Sequence, residues 1–465
     1  MTTPREIIAG LGQLVGLPTL AETITLTGDE PALPSSFRVG AAAQAAIGAV
    51  TATVSEIHAR RTGQRLAPSV DMRHAAVEFN SGAYLRVAGV EPPDVWDAIA
   101  GAYRCGDGGW VRLHTNFPHH RDGVLRLLGC VYDRKAVAAA LLGWEAEKFE
   151  TAATDAGLVV AAMRSFAQWD AHKHGIAVAN LPAITLERIA DAPPTPLPMI
   201  GTRPLAGIRA LDLTRVLAGP VCGRVLAAHG ADVLRITGAH VPSLGHAEID
   251  VGRGKLQAQI DLRDKAGCES LRNLIRGADI FSQGYRPGSL AARGFSPEAV
   301  AALKPGIIYV SLSAYGHVGP WAGKRGFDSL VQTATGINQA EADAFGTPEK
   351  PRPLPCQAID HASGYLLALG ALAALLRRAD EGGSWLVRVS LATTGHWLRG
   401  LGRLPDGFSA PDPGFADVAD LMEETESGYG KLTALRHAGQ IAGASPYWTR
   451  PAMPLGSAPP VWPEN

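Results

Sequence analysis

Cysteine is scarce in this chain, with five residues in 465, and they lie scattered at Cys105, Cys130, Cys222, Cys268 and Cys356. No two share a C-x-x-C spacing and an odd number closes no complete framework, so neither a cysteine-held metal nor a disulfide-stapled fold is indicated. An excess of one charge is lacking as well. Lys plus Arg total 43 against 44 Asp plus Glu, a formal net charge of −1, which leaves no basic surplus for nucleic-acid phosphates. Also missing is an uninterrupted apolar run of about 18 residues, the length a membrane-spanning helix needs. Met1–Gly10 is polar and mixed in charge, unlike the apolar centre of a secretory signal. Together these absences read as a reduced cytoplasmic protein without nucleic-acid or membrane partners.

Hydrophobic residues make up 46% and charged residues 19% of a length too great for one typical core, so two or three domains are expected. The clearest break is residues 191–204, DAPPTPLPMIGTRP, where four prolines among the first eight residues remove backbone donors and fix φ. Beyond this linker, strand-like segments at Ile208–Leu213, Ala231–Ile236, Asp279–Gln283 and Gly306–Ser313 alternate with helical ones at Val221–His229, Cys268–Gly277 and Pro297–Leu303. Such alternation implies βαβ crossovers: an α/β, Rossmann-like, mostly parallel sheet whose ligands sit beyond the strand C-termini. The division is then a leader over 1–35, a first region over 36–190, the linker, a second region over 205–400 and a tail over 401–465.

Ala41–Gly63 has the same texture as His361–Gly383, each a long Ala/Leu-type helix closing on basic residues and glycine. Each leads to an extended piece, Pro68–Met72 and Leu386–Ser390, which reads as an internal duplication placing Gly40 opposite Asp360. Asp360 follows the mostly apolar Leu354–Ile359 and opens a helix, where the partial positive charge of free N–H groups favours an ionised carboxylate. The plain alternative is an N-cap aspartate. Gly252–Lys255 (GRGK) lacks the spacing of a phosphate loop. His114, His119 and His120 lack a carboxylate or cysteine at ligand spacing, so they read as surface histidines and no metal is expected.

Read in order, PLAGIRALDL (204–213), TRVLAGP (214–220), GADVLRI (230–236), GRGK (252–255), IDLR (260–263), YRPG (285–288), IIYVSLSAYG (307–316), GFDSL (326–330) and AIDHASG (358–364) resemble a family III CoA-transferase. In the first region, YRCGDGGWVRL (103–113), with Ala162–Ser165 and Trp169–Gly175, resembles the later portion of that family, including its smaller α+β domain, so the segment order is rearranged. The resemblance implies that Asp360 is the catalytic aspartate, passing CoA from an acyl-CoA donor to a carboxylic acid through anhydride and aspartyl-CoA thioester intermediates. It further implies that Arg215, Val216, Leu217, Ala218, Ile260, Arg263, Tyr285, Arg293 and Arg325 contact CoA. It requires no permanent cofactor, CoA thioester being a substrate, and it implies a homodimer. Leu217 stands where the family often carries a polar residue, and Arg293 lies one position from the family's arginine. Two alternatives differ in chemistry. An α-methylacyl-CoA racemase shares the fold but pairs its aspartate with a histidine, where this chain has Phe327. A non-catalytic acyl-CoA-binding relative would keep the pocket and lose the chemistry.

Overall fold

In the second region β-branched and aliphatic residues concentrate in short runs that a two-sided, fully covered sheet can bury. A computed structural model describes residues 1–463. Its main sheet contains Thr185–Ala190 (β1), Arg209–Leu213 (β2), Asp232–Thr237 (β3), Lys255–Gln259 (β4), Ile280–Gln283 (β5), Ile308–Ser313 (β6) and Ser384–Ser390 (β7). The order is β4-β3-β2-β5-β6-β7-β1, parallel throughout except for β1, which runs antiparallel along β7. The direction of strand addition reverses between β2 and β5, so a crevice opens outside their C-terminal ends. The α/β, mostly parallel architecture is therefore as the alternation implied. Two strands were not legible: β4, read as a glycine motif, and β1, which the first region lends to the sheet edge.

Three helices form the centre: Val39–Thr62 (α1), Ala218–Ala228 (α2) and Ala358–Glu381 (α3). Alanines and glycines let them approach closely. A Cβ on Gly364 of α3 would lie 2.6 Å from the Ala218 carbonyl oxygen and from Val221 of α2. α3 is long and apolar enough to cross a membrane, yet that stretch is wholly buried against α1, α2 and the sheet. It serves as a core helix, which explains its composition without a bilayer. Arg60 near the end of α1 pairs with Asp380 near the end of α3 at 2.6 Å, so the two look-alike helices lie side by side.

A smaller α+β unit sits in the first region. Gly101–Arg104, Trp110–Leu113 and Val160–Ala162 form an antiparallel sheet, packed with Pro118–Leu128, Arg134–Leu141 and Ala146–Asp155 around its own core of Val111, Leu113, Val124 and Phe149. Residues 191–204 carry no helix or strand. They are nonetheless pinned, because the Arg61 guanidinium of α1 donates to the carbonyls of Pro198, Ile200, Arg203 and Pro204 at 2.5–2.6 Å.

The regions are joined by buried charge. Arg224 of α2 is fully buried and donates to Asp250 and, at 3.3 Å, to Glu78 of the first region. Glu78 also accepts from Tyr365 of α3 and, at 2.6 Å, from the Ala438 N–H of the tail. Burial opposes the charge on Glu78, but His437, Arg224 and these hydrogen bonds outweigh it and hold the carboxyl down at about 2. Its contribution to stability is thus present above the ordinary value near 4.5 and is lost as pH falls towards 2. Glu78→Gln leaves Arg224 short of one partner and should cost about 3 kcal/mol in urea unfolding at pH 7. It should also flatten the loss of stability on acidification below pH 4.5 relative to wild type; equal slopes would refute the assignment.

Candidate active site

The loop after β2 must turn sharply into α2, and its backbone shows the strain. Val216 adopts φ +70°, a left-handed conformation that a β-branched residue rarely takes and that costs about 1–3 kcal/mol. The loop is braced from behind. Thr214 N–H donates to Asp212 Oδ1 at 3.0 Å, and the buried Lys255 ammonium bridges Asp212 (2.7 Å) to the Pro220 carbonyl (2.7 Å). Lys255 is therefore a strut beneath the loop, and the GRGK stretch offers it to no phosphate. Gly219 is required here, since a Cβ would stand 2.4 Å from that of Thr214.

This strained loop separates two cavities. The first, of about 480 Å³, lies at the switch point of the sheet and is lined by Arg215, Val216, Leu217, Ala218, Tyr285 and Arg325. It contains the start of α2, whose free N–H groups suit an anion. A side cleft of about 150 Å³ shares Tyr285 with it and brings in Ile260, Arg263 and Arg293. All nine residues assigned to CoA by resemblance thus gather along one connected surface. Several cations there are partly engaged. Arg263 pairs with Asp261 at 2.6 Å, Arg293 donates to the Leu262 carbonyl at 3.1 Å, and Arg325 donates to the Gly157 carbonyl at 3.1 Å. The second cavity, about 620 Å³, lies on the other side of Val216, Leu217 and Phe327 and reaches into the first region through Asn80, Trp96 and Arg112.

Asp360, in the first turn of α3, lines both cavities and is 7% exposed. Asp328 approaches it from behind. Asp328 Oδ2 accepts the Asp360 N–H at 2.8 Å, and its other oxygen accepts from Gln332. The expectation that a helix N-terminus holds Asp360 ionised is overturned. Burial, and then the like charge of Asp328, push its carboxyl well above the usual aspartate range. Burial also raises Asp328, to about 6, against hydrogen bonds from the Asp360 backbone, Gln332 and the Ile359 backbone. With those donors Asp328 is the better home for the shared negative charge, and Asp360 holds the proton more tightly.

The histidines of the first region also depart from the sequence reading. His114 and His120 are buried, and only His119 of the three is exposed. His114 stacks face to face on Phe327 at 3.8 Å; burial, and secondarily Arg112, push its imidazole down to about 3. His120 contacts Arg325 at 3.3 Å and, with Phe117 and His119, walls the first cavity from the first-region side. No spacing signal marked these residues, because tertiary packing brings a distant strand end over the sheet.

CoA-transferase family III matches residues 205–402, the stretch that carries the strained loop, Asp328 and Asp360. Over these residues the chain is similar to that family. An acyl-CoA transferase of Gibberella moniliformis is 28% identical over 417 residues, covering 80% of this chain and 73% of the relative. That coverage exceeds what residues 191–465 can hold, so the alignment takes in part of the first region. The succinyl-CoA:glutarate CoA-transferase of Mus musculus is 31% identical over 205 residues, 41% of this chain and 46% of the relative. A crystal structure of a hypothetical protein from Mycobacterium tuberculosis is 32% identical, covers 43% of this chain and 58% of that one, and superposes with a TM-score of 0.39. Against the mouse and mycobacterial proteins this chain spans about half of their length.

The carboxyl pair makes a direct prediction. With ¹³C-labelled aspartate, the Asp360 carboxyl should titrate well above 3.8, and Asp328→Asn should move that titration to lower pH by removing the like charge. A single titration near 3.8 in wild type would show that the two carboxyls do not interact.

Proposed function

We propose that the protein is a CoA-transferase that moves CoA from an acyl-CoA donor to a carboxylic acid with Asp360 as nucleophile. The observation that carries this reading is the position of Asp360 at the junction of two cavities, so that one group can face a CoA thioester on one side and a free acid on the other. The ionised Asp360 oxygen attacks the thioester carbonyl, the C–S bond breaks, and CoA leaves as thiolate from a mixed anhydride. The thiolate attacks the aspartyl carbonyl, the donor acid departs as carboxylate, and an aspartyl-CoA thioester remains. The acceptor carboxylate repeats the sequence in reverse, taking CoA and restoring Asp360. No net proton or electron is consumed. The nine residues of the first cavity and its side cleft hold CoA throughout, keeping the thiolate at high effective concentration between the two attacks.

A proton-transfer reading has one observation in its favour: His114, a neutral imidazole, stacks on Phe327 in the cavity that Asp360 also lines. It would give exchange of the Cα hydrogen of the acyl group without movement of CoA.

Incubation with an acyl-CoA followed by hydroxylamine should convert Asp360 to its hydroxamate, detected by mass analysis of the peptide. Asp360→Asn should lose the adduct and lower CoA transfer at least ~10³-fold while still binding CoA. Deuterium incorporation at Cα with no adduct would establish the proton-transfer reading, and CoA binding with neither would leave a binding protein.

A further inference from the structure

The second cavity contains a cation to which the fold gives no hydrogen-bonded partner among the described residues. Arg112 lies on Trp110–Leu113, whose alternate residues Val111 and Leu113 enter the core of the small unit while Arg112 faces the cavity. Its Nε is sealed from solvent with no hydrogen-bond partner, and among the described residues its guanidinium donates to nothing and pairs with no carboxylate. Its supports are the Trp96 ring, 5.4 Å from Cζ, and the charge of Asp328, with which it makes no hydrogen bond. A largely buried arginine without an acceptor is costly, and the cost is recovered when a ligand brings one. The fork of the guanidinium matches a carboxylate.

The same strand direction extends the polar row. His114 and Asn116 follow at alternate positions and line the same cavity. The Asn116 carbonyl oxygen already accepts the Asp97 N–H at 3.2 Å, which leaves its amide N–H groups to donate. Asp328, whose charge acts on Arg112, accepts its hydrogen bonds from Gln332 and the Asp360 backbone, and the other acidic groups nearby are engaged as well. Asp250 is taken by Arg224, Arg253 and Ser81, Glu91 pairs with Arg86 at 3.1 Å, and Asp94 accepts the Trp96 N–H at 3.0 Å. Asp360 also lines this cavity, together with Leu217 and Phe327.

We propose that Arg112, with Asn116, docks the non-reacting carboxylate of a dicarboxylic acid whose other carboxylate exchanges CoA at Asp360. This rests on the transferase reading and adds the class of acid. Asp360 needs its partner acid held in a fixed register, and an anion anchored on a rigid strand supplies it. A monocarboxylic acid would enter the same cavity and leave Arg112 unpaired, so selection against it follows from the same buried cation.

The test uses the full chain, acetyl-CoA as donor, and glutarate and valerate as acceptors of equal chain length. Wild type should prefer glutarate in kcat/KM by about 10- to 100-fold, the range expected of one charge-assisted hydrogen-bonded pair. Arg112→Gln should raise the KM for glutarate by a similar factor, change kcat/KM for valerate by less than about threefold, and leave Asp360 adduct formation from acetyl-CoA intact. Arg112→Lys should restore only part of the preference, because it keeps the charge and loses the fork. Equal use of both acids by wild type, or equal loss of both in Arg112→Gln, overturns the proposal. Should wild type form no Asp360 adduct, the transferase reading fails instead, and calorimetric binding of glutarate over valerate, lost in Arg112→Gln, still decides the role of Arg112.

Discussion

The structure depends on Arg224. A guanidinium with no exposed surface, in the helix that follows the strained loop, is tolerable only if its charge is met from several directions. Glu78 comes from the first region and Asp250 from the segment before β4, while Tyr365, from the helix that begins with Asp360's turn, donates to Glu78 and holds it in place. Arg253 extends the network to the tail through the Leu435 carbonyl at 2.8 Å. Four stretches of chain distant in sequence must therefore be in register before this charge is satisfied. The positions of α2 and α3, and with them the loop at Val216 and the carboxyl at Asp360, follow from that requirement. A second bridge does the same for the small unit: Glu150 accepts from Lys324 at 2.7 Å and Arg164 at 2.6 Å, tying it to the segment that leads to Phe327 and Asp328.

The stretch similar to family III CoA-transferases is completed by the first region. The first region supplies the edge strand of the main sheet, the helix that lies along α3, the acid that meets Arg224, and one wall of each cavity.

Much of this was legible in the sequence, and what was not shares a cause. The parallel sheet was readable because β2, β3, β5 and β6 are compact aliphatic runs separated by helical stretches. Asp360 was readable because its segment falls in an ordered series of family motifs. The residues missed were those whose role is set by a neighbour far along the chain. Lys255 looks like part of a glycine loop until Asp212 and the Pro220 carbonyl are seen around it. His114 and His120 look solvent-exposed because their segment is polar, yet the small unit folds them under Phe327 and Arg325. Asp360 reads as an ionised helix-start aspartate because the local peptide dipoles are all a sequence can show. The carboxyl that reverses the conclusion arrives from Asp328, through a hydrogen bond to the Asp360 backbone.

The raised affinity of Asp360 for its proton bears on the chemistry proposed for it. A carboxylate stabilised by many donors is a poor nucleophile, since attack must first give up those bonds. Asp328 takes the donors in this site, and Asp360 faces the cavities with burial and a like charge acting against its ionised form. Its basicity, and with it its reactivity once ionised, is raised. Acylation converts that oxygen from an anion to a neutral anhydride or thioester, which removes the repulsion from Asp328 and the cost of burying a second charge. In the transferase cycle the free enzyme is therefore the state with the unfavourable electrostatics, and each covalent intermediate relieves it. In that proposed cycle Asp328 is a positioning residue: it accepts the backbone N–H of the turn that presents Asp360 and supplies the charge that makes the uncombined carboxylate costly. The left-handed turn at Val216 sets Val216 and Leu217 where they line both cavities, with Asp360 open to each.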